Sequence, residues 1–391
     1  MIELDVLRGF AVAVMILVTS PGSWVYTYAE MQHAEWHGWT FADFVFPDFL
    51  FGVGMALGLT YGRSLDPVAD RLTFWRKVGR RVIGLIALGL VVNGAYYLAG
   101  HLGSPPVGPD DETHFRIPGV LQRIALAYLI AMLAMFALGK RSGSHAQPPG
   151  PLAIAALIGI FLLGYWALLM FVPAPGGTAG DLSIAGNLPG YVDRQVFGQE
   201  HMWALGAETW RGPVFYDPEG LLATLPASTN ILFGVIVVGL WRSKRPTRVA
   251  EIAGLGACLI AAAYLIDPMF PINKKIWTSP FALLTSGLSC FVLLIVAGLL
   301  RLRLLPLLAP LRVLGGNAIL AFSLSIAFTA FASVPLPFGA SDASMRERGF
   351  AVTSAIIADP YLASLAYAFC ALGVILLLIL PLERRGIHLR L

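Results

Sequence analysis

Charge is scarce in this chain: only 13% of its 391 residues are Asp, Glu, Lys or Arg, against about 25% in a soluble domain. That deficit, with 57% hydrophobic residues and a mean hydropathy of +0.73, excludes a soluble enzyme and leaves a polytopic membrane protein. Cysteine is nearly absent. Cys258, Cys290 and Cys370 all fall in apolar runs and offer neither a disulfide framework nor metal-ligand spacing, so the sequence predicts buried thiols at helix interfaces. A Walker loop, a Gly-rich dinucleotide fingerprint, a serine-hydrolase elbow and a basic stripe interleaved with aromatics are all missing. Phosphate-loop chemistry and nucleic-acid binding have no support. The first apolar run has no basic region before it and contains Asp5 and Arg8, so it reads as a retained helix rather than a cleaved signal.

Long apolar runs are present instead. They recur at 5–22, 44–61, 82–99, 117–138, 151–172, 220–241, 249–267, 279–300, 313–332 and 360–381, each near the ~20 residues that cross a bilayer. The expected fold is an all-α polytopic membrane protein, a bundle of about ten transmembrane helices forming one domain over 1–391. Of the 27 Lys and Arg, 19 lie at one set of ends, including Arg63, Arg71, Arg76, Lys77, Arg80, Arg81, Arg242, Lys244, Arg245, Arg248, Arg384 and Arg385. The positive-inside rule therefore predicts cytoplasmic termini. Lys274 and Lys275 run against that trend. The 173–219 segment is the longest extracytoplasmic loop, opening with PAPGGTAGDLS and carrying Asn187, Tyr191, Asp193, Arg194, His201, Trp203, Glu208, Trp210, Arg211 and Tyr216. Aromatic rings mixed with carboxylates and amides suit a carbohydrate or a small self-packed cap.

Ionisable groups concentrate between the first two runs. EMQHAEWHGWTFADFVFP (30–47) holds His33, His37, Glu30, Glu35 and Asp43. An imidazole titrates near physiological pH and serves as proton carrier, nucleophile or ligand, which singles out His33, with His37 the weaker candidate. Asp5 and Arg8, at i and i+3, can pair on one helix face. Arg123 lies within an apolar run beside Gln122, and intramembrane charge defaults to a functional candidate. Asn93, Asn230, Asn273 and Asn317 suit interhelical hydrogen bonding.

Six blocks then occur in order: LDVLRGFAVAVMILV (4–18), HAEWHGWTFADFVFP (33–47), FRIPGVLQRIALAY (115–128), YDPEGLLATLP (216–226), INKKIW (272–277) and GGNAILAF (315–322). Together they resemble the motifs of the heparan-α-glucosaminide N-acetyltransferase family. The resemblance implies acetyl transfer from cytoplasmic acetyl-CoA to the amine of a terminal glucosamine on the far side of the membrane, without a metal. It maps the family's histidine onto His33, acting as general base or as acetyl carrier, with Asp43 or Glu35 fixing its tautomer. Expected catalytic residues are His33, Asp43 and Asp5. Expected acetyl-CoA contacts are Thr19, Ser20, Arg8, Gln122, Arg123 and Asn317, with the basic 63–81 loop a further source of phosphate-binding cations. Expected acceptor contacts are Trp36, Asp217, Glu219, Asn273 and Lys274. A bacterial member in the inner membrane, able to form a homodimer, is the form implied. The chain departs from the family at Thr19-Ser20, where asparagine is common, and at Asp48, where an aromatic is usual. Alternatives are an O-acyltransferase of surface glycans and a non-catalytic sugar transporter.

Overall fold

A computed structural model describes every residue except 62, 64, 103–114, 143–144, 209–211, 244, 336–342 and 389–391. Trp210, Arg211 and Lys244 thus lie outside the described residues. Thirteen helices follow one another among those described: α1 Ile2–Thr19, α2 Phe41–Thr60, α3 Arg71–Leu102, α4 Val120–Leu138, α5 Pro151–Phe171, α6 Leu188–Phe197, α7 Thr224–Arg242, α8 Arg248–Ile266, α9 Ser279–Arg301, α10 Leu305–Gly316, α11 Ala318–Ala332, α12 Met345–Ile356 and α13 Pro360–Arg384. A two-stranded antiparallel ribbon, β1 Lys140–Ser142 with β2 His145–Gln147, joins α4 to α5. The protein is an all-α polytopic membrane protein.

Each of the ten apolar runs is helical, but fewer than ten helices meet the demands of a bilayer. Among the described residues eight are long and apolar enough to cross one, and nine if the pair α10–α11, bent by 83°, is a single broken span. The 18-residue α1 carries Glu3, Asp5 and Arg8, and that charge separates it from the other eight. The expected 313–332 span is the bent pair, broken at Asn317 between the two helices.

Local chemistry sets the helix ends. Thr40 caps α2, with Asp43 accepting the Thr40 backbone N–H at 3.0 Å. Asn187 caps α6 through Gly190 N–H at 2.7 Å, and Asp359 caps α13 through Leu362 N–H at 2.7 Å. Helices α1, α2 and α7 carry long series of buried residues. The 2 and 7 helices meet backbone to backbone: a Cβ on Gly54 would fall 1.8 Å from the Ile231 carbonyl oxygen, and one on Gly234 2.1 Å from that of Phe51. Small residues permit this approach where lipid tails supply no hydrophobic drive between helices. Of the cysteines only Cys290 is buried. Cys258 and Cys370 are exposed, correcting the expectation of three thiols at helix interfaces: an apolar run does not say which of its faces packs inward.

Gly54→Ala should therefore lower the thermal unfolding midpoint in detergent, by overpacking worth about 1–3 kcal/mol. Gly239→Ala on α7, where nothing lies within 4 Å of the added carbon, should leave the midpoint unchanged or raise it.

Candidate functional site

The loop between α1 and α2 brings His33 onto the first turn of α2. His33 Nδ1 lies 2.7 Å from Asp43 Oδ1. The second carboxylate oxygen accepts Ala34 N–H and Thr40 N–H, each at 3.0 Å, and the Thr40 hydroxyl at 3.2 Å. An ionised carboxylate only accepts, so the network assigns the proton to Nδ1 and leaves Nε2 as the basic nitrogen. The Asp43 side chain is fully buried, while 37% of the His33 side chain is exposed. Burial of the rest of the ring, then the Lys274 ammonium, lower the imidazole pKa to about 4 against the raising pull of Asp43. The ring is neutral at physiological pH.

The turn between α8 and α9 closes over this loop. Gly38 N–H donates to the Ile272 carbonyl at 2.7 Å, and Asn273 Nδ2 lies 3.3 Å from His37 Nδ1. Lys274 and Lys275 follow, both buried. Aromatic rings line the same region. Trp36 and Tyr216 lie 4.9 Å apart edge to face, Trp203 and Tyr216 6.2 Å apart, and Lys275 Nζ sits 4.8 Å above the Trp203 ring. Trp36 Nε1–H is tied to the Leu182 carbonyl at 2.8 Å.

The expected acceptor carboxylates have another duty. Arg116 Nε donates to Asp217 Oδ2 at 2.9 Å, and its Nη2 reaches Asp217 Oδ1 at 2.6 Å and Glu219 Oε2 at 2.5 Å. Asp217 also accepts the backbone N–H groups of Trp203 and Glu219, both at 2.8 Å. The bidentate Arg116–Asp217 pair, with Glu219 on the same guanidinium, locks the long loop to the α4 approach. Burial alone would raise Glu219, but Arg116 and Lys274 hold it at about 2. Nearby, Asp193 is pushed up to about 7 by burial.

The expected acetyl-CoA contacts fall in three places. Asp5 and Arg8 line a cavity of about 470 Å³ with Ala56, Arg81, Arg312, Gly315, Gly316, Ile319, Glu383 and His388. Asn317 adjoins it, its Nδ2 3.3 Å from both Glu383 Oε2 and His388 Nδ1. Thr19 and Ser20 are at the other end of α1, where Thr19 Oγ1 donates to the Met15 carbonyl at 2.8 Å and Ser20 Oγ meets Thr329 Oγ1 at 2.6 Å. Gln122 donates to the Ile117 carbonyl at 2.9 Å. Arg123 is fully buried, donating to the Gly220 carbonyl at 3.0 Å and lying 4.9 Å from the Trp277 ring centre. Gln122 and Arg123 thus lie beneath the long loop, apart from the cavity that Arg8 lines. Asp5 cannot join His33, because α1 places them at opposite ends, roughly 20 Å apart at 1.5 Å per residue. Among the described residues, no ion pair joins Asp5 to Arg8.

From the basic 63–81 segment only Arg81 reaches the cavity; Arg76, Lys77 and Arg80 line a groove along α3. Sequence reasoning missed Arg116, Arg312, Glu383 and His388. The first lies inside the FRIPG block and Arg312 one turn before GGNAILAF, but neither sits in a span, where charge draws notice.

Fold and geometry define the class: a multi-pass helical membrane protein with a buried-carboxylate–histidine pair at one face and a cation-lined cavity at the other. Residues 1–173 match the family described as heparan-alpha-glucosaminide N-acetyltransferase, catalytic. The chain is 27% identical to heparan-alpha-glucosaminide N-acetyltransferase of Homo sapiens over 353 residues, 82% of this chain and 52% of that protein. It is 29% identical to the protein of the same name from Mus musculus over 356 residues, 81% of this chain and 52% of the other. The chain spans about half the length of the curated relatives it matches. Over most of its length the chain is thus similar to heparan-α-glucosaminide N-acetyltransferases, the resemblance its ordered sequence blocks carry.

Arg116→Gln should cost about 3–5 kcal/mol at neutral pH, because two buried carboxylates lose their shared cation. The sign of the pH dependence follows from Glu219. Its depressed pKa contributes stability that is present above the unfolded value of about 4.3 and lost as pH falls towards 2. The deficit of the variant should therefore shrink on acidification, measured as paired thermal midpoints across pH 2–6.

Proposed function

We propose that this protein is a membrane acetyltransferase that moves an acetyl group from acetyl-CoA to the amine of a glucosamine-type sugar, with His33 as the general base. The observation that carries the reading is the His33–Asp43 pair: a buried carboxylate fixes the tautomer and leaves Nε2 as the basic nitrogen of a side chain that is 37% exposed. An orienting carboxylate plays the same part in other acyl-transfer sites. The relationship to named N-acetyltransferases supports the reaction class.

In the proposed step the neutral amine attacks the thioester carbonyl. The N–C bond forms, the amine proton passes to His33 Nε2, and the C–S bond breaks to release CoA, whose thiolate takes up a proton. Trp36 and Trp203, half-buried and packed on Tyr216, offer ring surface to the sugar's C–H groups. At the opposite face Arg8, Arg81 and Arg312 converge on one cavity, and guanidinium groups suit phosphate through their fork geometry. This supports a nucleotide end held there, with the acyl arm directed along α2 towards Asp43. With termini on the basic side, the donor face is cytoplasmic and the acceptor face is outside, in a bacterial inner membrane.

The test is transfer from radiolabelled acetyl-CoA to glucosamine by the purified chain. His33→Ala should reduce the rate by about 10²–10⁴-fold, and a product stable to hydroxylamine identifies an amide rather than an ester. No labelled product from the wild type, or full activity in the variant, would sink the assignment. Arg8→Gln and Arg312→Gln should raise the acetyl-CoA KM while leaving the glucosamine KM close to wild type. A rise in the glucosamine KM instead would separate the cavity from the donor.

A further inference from the structure

The turn that carries Lys274 and Lys275 is held unusually firmly. Trp277 adopts φ +49, a left-handed conformation that is costly for a bulky side chain and persists only where surroundings enforce it. The enforcing bonds are present. Trp277 N–H donates to the Lys274 carbonyl at 3.2 Å and Thr278 N–H to that of Asn273 at 3.0 Å. Asn273 Oδ1 accepts Ile276 N–H at 3.0 Å, Tyr165 donates its hydroxyl to the Ile276 carbonyl at 2.6 Å, and Trp277 Nε1–H meets Asn230 Oδ1 at 3.1 Å.

What this scaffold presents is two adjacent ammonium groups, 7% and 6% exposed, beside the His33 loop. The carboxylates around them are engaged elsewhere. Asp217 and Glu219 pair with Arg116, and Asp43 pairs with His33 and backbone N–H groups. Among the described residues neither lysine has a carboxylate within 4 Å. Burying two cations without a close counter-charge is expensive. Such a cost is retained where the field itself is useful, as when one cation forces another amine to give up its proton.

We infer that Lys274 and Lys275 form an electrostatic pair that drives an acceptor amine arriving at His33 into its neutral, nucleophilic form. This deepens the acetyl-transfer reading and rests on it. An ammonium bound there releases its proton to solvent before attack, and the proton lost during attack goes to His33 Nε2. The groups facing this point are Asp43 from α2, Glu219 and Arg116 from the long-loop side, and the two lysines from the turn; His37 meets Asn273 and feels the charge of Asp267. The protein's own groups register the same field: burial and Lys274 bring Lys275 down to about 8, and Lys274 is the leading charge acting on His33.

The experiment uses the purified full chain with Lys274→Met, Lys275→Met and the charge-conserving Lys274→Arg. The first readout is the titration of isotope-labelled His33, assigned by loss of its signal in His33→Asn. Lys274→Met should raise the midpoint by about one pH unit or more, and Lys274→Arg should keep it near wild type. An unmoved midpoint in both methionine variants would overturn the pair. The second readout is the pH profile of acetyl transfer to glucosamine. Its acid limb should move to higher pH in the methionine variants, with about a tenfold loss at neutral pH that fades in alkali. A loss equal at every pH would mean that the lysines merely contact the sugar or brace the turn, and would likewise overturn it. Titration needs no turnover, so an inactive wild type, which refutes the acetyl-transfer reading, is distinguishable from an absent field.

Discussion

A single buried carboxylate organises the face on which His33 lies. Asp43 closes the N-terminus of α2 by accepting the Thr40 backbone N–H, gathers Ala34 N–H from the preceding loop, and accepts the His33 ring proton. Helix start, loop path and imidazole tautomer are thus one electrostatic decision. An N-terminal helix turn favours negative charge, so the position that stabilises α2 is also the position from which a carboxylate orients the histidine. With three bonds on one oxygen and the imidazole on the other, Asp43 is committed to this structural work.

Counter-ions are distributed unevenly around that pair. Arg116 absorbs both Asp217 and Glu219, fixing the long loop, and Arg123 spends its buried charge on a carbonyl and an aromatic face. The positive remainder lies with the two lysines of the α8–α9 turn. At the other end of α2 the balance is again positive, with Arg8, Arg81 and Arg312 set against Asp5 and Glu383. Two cationic environments therefore lie at the two ends of α2, whose buried length carries one further carboxylate, Asp48.

Much of this was legible from residue order alone. Apolar run length located all ten helical segments, and the density of ionisable groups between the first two singled out His33 and Asp43. What escaped was partnership. Whether Asp217 and Glu219 face a ligand or a guanidinium depends on Arg116, about a hundred residues earlier, and no local pattern records that pairing. Asp5 drew attention as charge in an apolar run, yet α1 carries it to the far face. Arg123 drew notice as charge within an apolar run, but its neighbours, the Gly220 carbonyl and the Trp277 indole, come from distant segments that no local pattern records. The break at Asn317 was hidden for a related reason: α10 and α11 are both apolar, and hydropathy is blind to an 83° change of direction.

The unequal enclosure of the helices determines what the reacting groups experience as their medium. In α2 and α7 most of the apolar window is enclosed by protein, 83% and 78%, whereas in α3, α5, α8 and α13 the share is only 22–28%. The latter form an annulus that meets the acyl chains; α2, which links the histidine face to the cavity, touches mainly other helices. Bilayer thickness and lipid composition act on tilt and fit at the annulus, and reach the centre only as small displacements passed through packed side chains. The interior of the bundle thus behaves as a medium of fixed dipoles wrapped in a sleeve, and what surrounds the buried length of α2 is set by the chain rather than by lipid.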